Sequence, residues 1–272
     1  MNKKKILVAV LICVGVGLIF YPILSSILAY VQEEEVIAVY EKSLDEYSEE
    51  EVEEEMAKAK EYNDNISGEN IKDPFMKDSG FVLPENYDEI LDYDGVMGYI
   101  EIPEIKVKLP IFHGTSDEVL GKGAGHLPQS SFPVGGVSTH AVISAHSGLP
   151  SATLFTNLNN LVEGDVFYIH VLNDTLKYEV DDISVVEPYE TSSLLQVAGE
   201  DYVTLVTCTP YGVNSHRLLV RGTRVDYEEE HTETVDLSAK TGNNVLWALL
   251  IILLILVIAL VIAVIRYQRR RK

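Results

Sequence analysis

The chain has 272 residues, a formal charge of −21 and two cysteines, and 47% of its residues are hydrophobic. So negative a balance repels phosphate backbones and sets nucleic-acid binding aside. One cysteine, Cys13, lies in an apolar run, so the rest of the chain has a single thiol and no internal disulfide, and its core must hold by burial alone.

Residues 1–31 begin with Lys3, Lys4 and Lys5 and continue as an uncharged apolar run from Ile6 to Val31. About 20 apolar residues cross a hydrocarbon core as a helix. The run exceeds the roughly 7–15 apolar residues of a cleavable signal, and no small-x-small site follows it. We read an uncleaved membrane anchor rather than a signal peptide, with Pro22 able to kink it. A second uncharged run, residues 245–265, precedes the basic tail RYQRRRK at residues 266–272. Basic residues outside both runs put both termini in the cytoplasm and residues 32–244 on the extracellular face of the cell membrane. The basic flanks carry +8, which leaves −29 on that outer segment. Such a surface suits a basic partner.

Residues 32–62 are rich in Glu and Ala and lack Gly and Pro. Val36, Ile37, Val39, Tyr40, Leu44, Tyr47, Val52 and Met56 recur at roughly helical spacing, which predicts one or two helices. The acidic run reads as a solvated face, not a ligand site. Residues 63–87 change character: NDNISGENIKDPFMKDSGFVLPEN holds turn formers and two prolines and predicts a long loop. Loops of this length are often lids or disordered.

From Gly98 the pattern is β. GYIEIPEIKVKLPIF, THAVISAH, DVFYIHVL, TLKYEVDDISVV, DYVTLVTC and RLLVRGTRVDY are separated by Gly, Asn, Asp and Pro clusters. LFTNLNNL reads as a short helical piece. The fold expected over residues 88–227 is mainly β, a closed or nearly closed barrel with short helices. Residues 228–244 read as an acidic spacer to the second membrane helix.

Three side chains stand at strand ends: His146 after THAVISA, Cys208 after YVTLVT, and Arg217 at the opening of RLLVRG. A lone cysteine is by itself most simply a buried, inert one. A thiolate nucleophile, however, is favoured by a nearby cation. A histidine supplies that role and then protonates a leaving amine. A fixed guanidinium stabilises an oxyanion. Together the three suffice for acyl transfer. Cys208 and Arg217 face each other across an expected hairpin, whereas only the fold can bring His146 to them. The resting pair is either thiolate–imidazolium or neutral. Arg221 shares a strand face with Arg217, His140 shares the parity of His146, and His216 neighbours Arg217; each is a competing candidate. No short paired-ligand spacing suggests a metal site, and this chemistry needs no cofactor.

YVTLVTC with the downstream RLLVRG, and the histidine of AHSGLPSATLFTNLNNL, resemble the sortase family. The opening GYIEIPEIKVKLPIFHGTSDEVLGKGAGHLPQSSFPVGG is similar to that family's first barrel strands, and the resemblance spans about residues 88–227. The second apolar run with its basic tail, and Asp73-Pro74-Phe75 in the long loop, resemble the pilin-polymerising class C subgroup and its lid motif. The resemblance implies that Cys208 is the nucleophile, His146 the general acid/base and Arg217 the oxyanion or substrate stabiliser. It implies that Asp73 pairs with Arg217 while Phe75 covers Cys208. It also implies partners: pilin or surface-protein substrates with an LPXTG-like signal, cleaved between Thr and Gly through a thioester, and a lysine amine of a pilin subunit as acceptor. Two other readings are a housekeeping sortase that anchors many proteins to the wall, and a wall-anchored surface protein without catalysis. The latter rests on SAKTG at residues 238–242, which shares only Thr-Gly with the signal.

Overall fold

The computed structural model describes residues 3–66, 71–75 and 86–227. The acidic spacer, the second apolar run, the basic tail and the SAKTG segment lie outside the described residues. Two compact units divide the described chain, one of residues 3–32 with 150–152 and one of residues 33–149 with 153–227.

Helix α1 (Lys3–Leu44) is unbroken from the apolar run into the acidic region, with Pro22 inside it. Among the described residues it is the one helix long and apolar enough to cross a membrane. Helix α2 (Glu49–Asn65) starts with a capping box. Ser48 Oγ accepts from the Glu51 amide at 3.3 Å, and Glu51 Oε2 accepts from the Ser48 amide at 2.8 Å. Glu49, Glu50 and Glu51 in its first turn also complement the helix dipole. The sequence boundary near Tyr62 falls three residues short, because Asn63, Asp64 and Asn65 continue the helix.

In the second unit eight strands close a barrel in the order β1-β2-β3-β4-β7-β8-β6-β5. They are β1 (Gly98–Ile102), β2 (Val107–His113), β3 (Ala124–His126), β4 (Thr139–Ser144), β5 (Val166–Val171), β6 (Asp174–Val186), β7 (Asp201–Thr209) and β8 (His216–Val225). β1 pairs antiparallel with β5 and completes the ring. The pairs β2–β3 and β4–β7 are parallel, and the other pairs are antiparallel. A short helix α3 (Asp117–Leu120) lies between β2 and β3. LFTNLNNL contains one 3-10 turn, Leu158–Asn160, and no longer helix.

All six residues of β4 and the run Val203–Thr207 of β7 are buried, so these two strands form the barrel's interior wall. Neighbouring buried strands read as continuous apolar runs for this reason. Within this unit, residues 33–44 of α1 and helix α2 bond the barrel through polar side chains. Tyr40 Oη accepts from the Leu172 amide at 2.8 Å. Tyr62 Oη donates to Pro128 O at 2.5 Å. Asn63 bonds both backbone groups of Phe132, accepting from its amide at 2.6 Å and donating to its carbonyl at 3.1 Å. Both Tyr62 and Asn63 are buried, and such groups are affordable in a core only when paired in this way.

Candidate active site

The β7–β8 hairpin sets the first two side chains. Its register places Cys208 directly across from Arg217. The connecting TPYGVNS takes positive φ at Gly212 and Asn214, residue types that adopt the left-handed region at low cost. Arg217 Nη1 donates to the carbonyls of Asn214 at 3.2 Å and His216 at 3.1 Å. The guanidinium is therefore fixed by its own hairpin, with its Nε–Nη2 edge turned outward to another partner.

That partner is Asp73. Arg217 Nε donates to Asp73 Oδ1 and Nη2 to Asp73 Oδ2, each at 2.6 Å. Both side chains are nearly buried, at 10% and 1% exposure, and the parallel two-bond geometry is the strong form of this pair. The Phe75 ring lies 5.1 Å from the Arg217 guanidinium carbon and 5.7 Å from the His146 ring. The segment's base has its own fastenings. Ile71 sits in an apolar cluster with Leu127, Val142, Leu194, Val206 and Leu219. Its carbonyl accepts from Thr191 Oγ1 at 2.9 Å, and the Lys72 amide donates to Gln129 Oε1 at 3.1 Å.

His146 follows β4, which runs parallel to β7 with Ser144 opposite Val206. Its carbonyl accepts from the Phe155 amide at 3.1 Å. The next residue, Ser147, donates from Oγ to Cys208 O at 2.6 Å. The barrel thus brings the ends of β4, β7 and β8 together, and residues 71–75 meet them there.

Burial raises the Cys208 pKa; Arg217 acts to lower it and Asp73 to raise it further. Burial lowers the His146 pKa, with the charge of Asp117 opposing. Both directions favour the uncharged form, so a neutral thiol and a neutral imidazole describe this state. Burial works against the Arg217 charge, but the hydrogen bonds and charge of Asp73 outweigh it and hold its pKa above the usual value.

The competing residues have other partners. Arg221 donates to both carboxylate oxygens of Asp181, at 3.0 and 2.9 Å, and stacks over Tyr202. His140 is buried, with Nδ1 2.9 Å from Leu195 O and Nε2 2.7 Å from Thr204 Oγ1. His216 lies 3.4 Å from Glu187, and as the strand neighbour of Arg217 it falls on the opposite face by the alternation of a strand. His126 is buried between Tyr87 Oη at 2.9 Å and Ser131 O at 2.7 Å. Sequence reasoning did not single out Ile71, Gln129, Thr191 or Ser147. An isoleucine isolated in a polar loop was the only available signal among them; hydroxyl and amide partners cannot be read without the fold.

A family model described as the Sortase domain matches residues 100–225. The chain is 29% identical over 140 residues to Sortase A of Bacillus anthracis, which covers 52% of this chain and 65% of that relative's length. Sortase C-1 from Actinomyces oris is 53% identical in its crystal structure, with a TM-score of 0.63 over 65% of this chain and 99% of that one. The structure described as a pilus-related sortase C of Group B Streptococcus is 48% identical, with a TM-score of 0.66 over 70% of this chain and 97% of that one.

Proposed function

The chain belongs to the sortase family, and from that membership we propose that it is a class C cysteine transpeptidase that polymerises pilins. The observation that carries the reading is the Asp73–Arg217 pair: a guanidinium held opposite Cys208, its free edge closed by a carboxylate from the Asp-Pro-Phe segment. A housekeeping enzyme with an open site has no need of that closure.

In this reading residues 71–75 act as a lid, and Phe75 covers the thiol. When Asp73 leaves, the Arg217 charge acts on Cys208 unopposed and favours the thiolate, and the thiol proton passes to the neutral His146 imidazole. The sulfur attacks the threonine carbonyl of the Thr–Gly bond in an LPXTG-like signal. The Nε–Nη2 edge of Arg217 stabilises the oxyanion. His146 gives its proton to the departing glycine amine, which leaves a thioester on Cys208. A pilin lysine amine then attacks the thioester and loses a proton to His146. The thiolate departs and an isopeptide bond remains. The apolar run of α1 anchors the enzyme, with residues 32–244 on the extracellular face beside its exported substrates.

Incubating the full-length chain, in detergent, with an LPXTG peptide and lysine-bearing pilin peptides tests the acceptor. We expect a Thr–Lys isopeptide product by tandem mass spectrometry, in higher yield from the Asp73→Ala variant. A thioester that no lysine peptide resolves, but that a wall-precursor amine does, would overturn the pilin assignment and favour the housekeeping reading.

A further inference from the structure

The parallel ladder between β4 and β7 ends at Ser144 and Val206. The chemistry proposed above needs His146 and Cys208, each two residues further on. Past the ladder one backbone bond remains, and beyond it backbone pairing no longer sets the distance between the two chains. Three hydrogen bonds continue the connection. The Ala145 amide donates to Val206 O at 3.2 Å. Thr207 Oγ1 donates to Ala145 O at 2.7 Å. Ser147 Oγ donates to Cys208 O at 2.6 Å. The two side-chain bonds are the shorter ones; they flank His146 at Ala145 and Ser147 on one chain and involve Thr207 and Cys208 on the other.

We infer that Ser147 and Thr207 form a hydroxyl clamp that sets the separation and facing of the imidazole and the thiol. They are positioning residues, since neither needs to touch substrate. The surroundings of Ser147 fit this role. Gly148 has φ +75°, and a Cβ there would stand 3.0 Å from the Tyr211 ring. Its amide donates to Thr156 Oγ1 at 3.0 Å. The chain after Ser147 therefore turns sharply between the β7–β8 loop and the Thr156 turn, and cannot serve as a strand that would hold His146 by itself. Thr207 is 2% exposed, so its hydroxyl is committed to Ala145. Displacing a reacting group by a fraction of an ångström costs rate steeply while leaving substrate binding nearly untouched.

The inference rests on the sortase reading for its catalytic consequence but not for its geometry, and the test separates the two. Ser147→Ala and Thr207→Val are made in the full-length Asp73→Ala protein, where the lid is released. The first readout is kcat and KM for LPXTG peptide cleavage. The second is the pH dependence of Cys208 alkylation by iodoacetamide, which needs no sorting peptide. Each variant is expected to lose about 10- to 100-fold in kcat with KM within about twofold, and to shift the alkylation profile. Ser147→Thr and Thr207→Ser keep the hydroxyls and restore both readouts. If no peptide is cleaved by any form yet the alkylation profile shifts and is restored, the clamp stands and the substrate reading fails. Unchanged kcat and an unchanged alkylation profile in both variants overturn the clamp. A parallel loss in the hydroxyl-retaining variants, or a loss of melting temperature that accounts for the lost rate, overturns it equally.

Discussion

Replacing Asp73 with alanine removes both acceptors of the Arg217 Nε–Nη2 edge. Two charge-assisted bonds at 2.6 Å are lost, each contributing about 1.5–3 kcal/mol net of water. Arg217 keeps its bonds to Asn214 and His216, so part of the guanidinium stays hydrogen-bonded in the closed state. We therefore place the loss of closing free energy near the lower end of that sum, at about 3 kcal/mol. At 1.4 kcal/mol per decade, this raises the open fraction about 100-fold, up to the point where the lid is open outright. The assay is the rate of Cys208 alkylation by iodoacetamide in the full-length chain. Loss of Asp73 removes one influence that raises the thiol pKa while Arg217 remains, and in the proposed lid reading opening also exposes the thiol, which lowers its pKa further. Both changes move the alkylation midpoint to lower pH, so the sign is fixed in advance. Equal alkylation rates and equal midpoints in wild type and Asp73→Ala would refute the latch.

The fastenings at the base of the segment predict a graded response. Thr191→Val and Gln129→Ala each remove one bond of about 1 kcal/mol and should raise alkylation about fivefold, less than Asp73→Ala does; a larger effect than that variant's would place the latch at the base instead. Arg217→Lys in the Asp73→Ala background should lower kcat/KM about 100-fold or more, because an ammonium cannot offer two parallel donors; near-normal cleavage kinetics would exclude the fork from the mechanism. Buried His126 and His140, their pKa values pushed down to about 3 and about 4 by burial, stay neutral when folded. An unfolded imidazole takes up a proton below about pH 6.5. Their contribution is thus complete above that pH and is lost as pH falls, by about 2 kcal/mol each at pH 5. Thermal melts of the full chain should show a lower melting temperature at pH 5 than at pH 7, with a shallower decline in His140→Asn. An equal melting temperature at both values would mean that the two rings are not held neutral.

Much of the barrel was legible because its strands are buried apolar runs bounded by Gly, Asn and Asp turns, and the period of the pattern survives burial. YVTLVTC and RLLVRG gave the hairpin that pairs Cys208 with Arg217, since local connection dictates that contact. The β4–β7 pairing that carries His146 toward Cys208 is parallel and spans about sixty residues of sequence, so no local signal reports it. The continuation of α1 from the apolar run into the acidic region was also hidden. The sequence there changes from wholly apolar to amphipathic, which reads as a boundary although the backbone helix does not break. LFTNLNNL reads as a short helical piece, but it makes only one 3-10 turn, with no side-chain cap at Asn157 to start a longer helix. The fastenings at Gln129, Thr191 and Ser147 are side-chain to backbone bonds, and no periodicity encodes those.

The central claim is that Cys208 is an acyl-accepting nucleophile. The most direct measurement is the intact mass of the full-length Asp73→Ala protein after incubation with an LPXTG peptide, beside the same protein carrying Cys208→Ala. The account predicts an adduct equal to the acyl portion ending at threonine, released by hydroxylamine and absent without Cys208. Folded protein that cleaves the peptide with no thioester on Cys208, or that forms the same adduct in the Cys208→Ala variant, would contradict it.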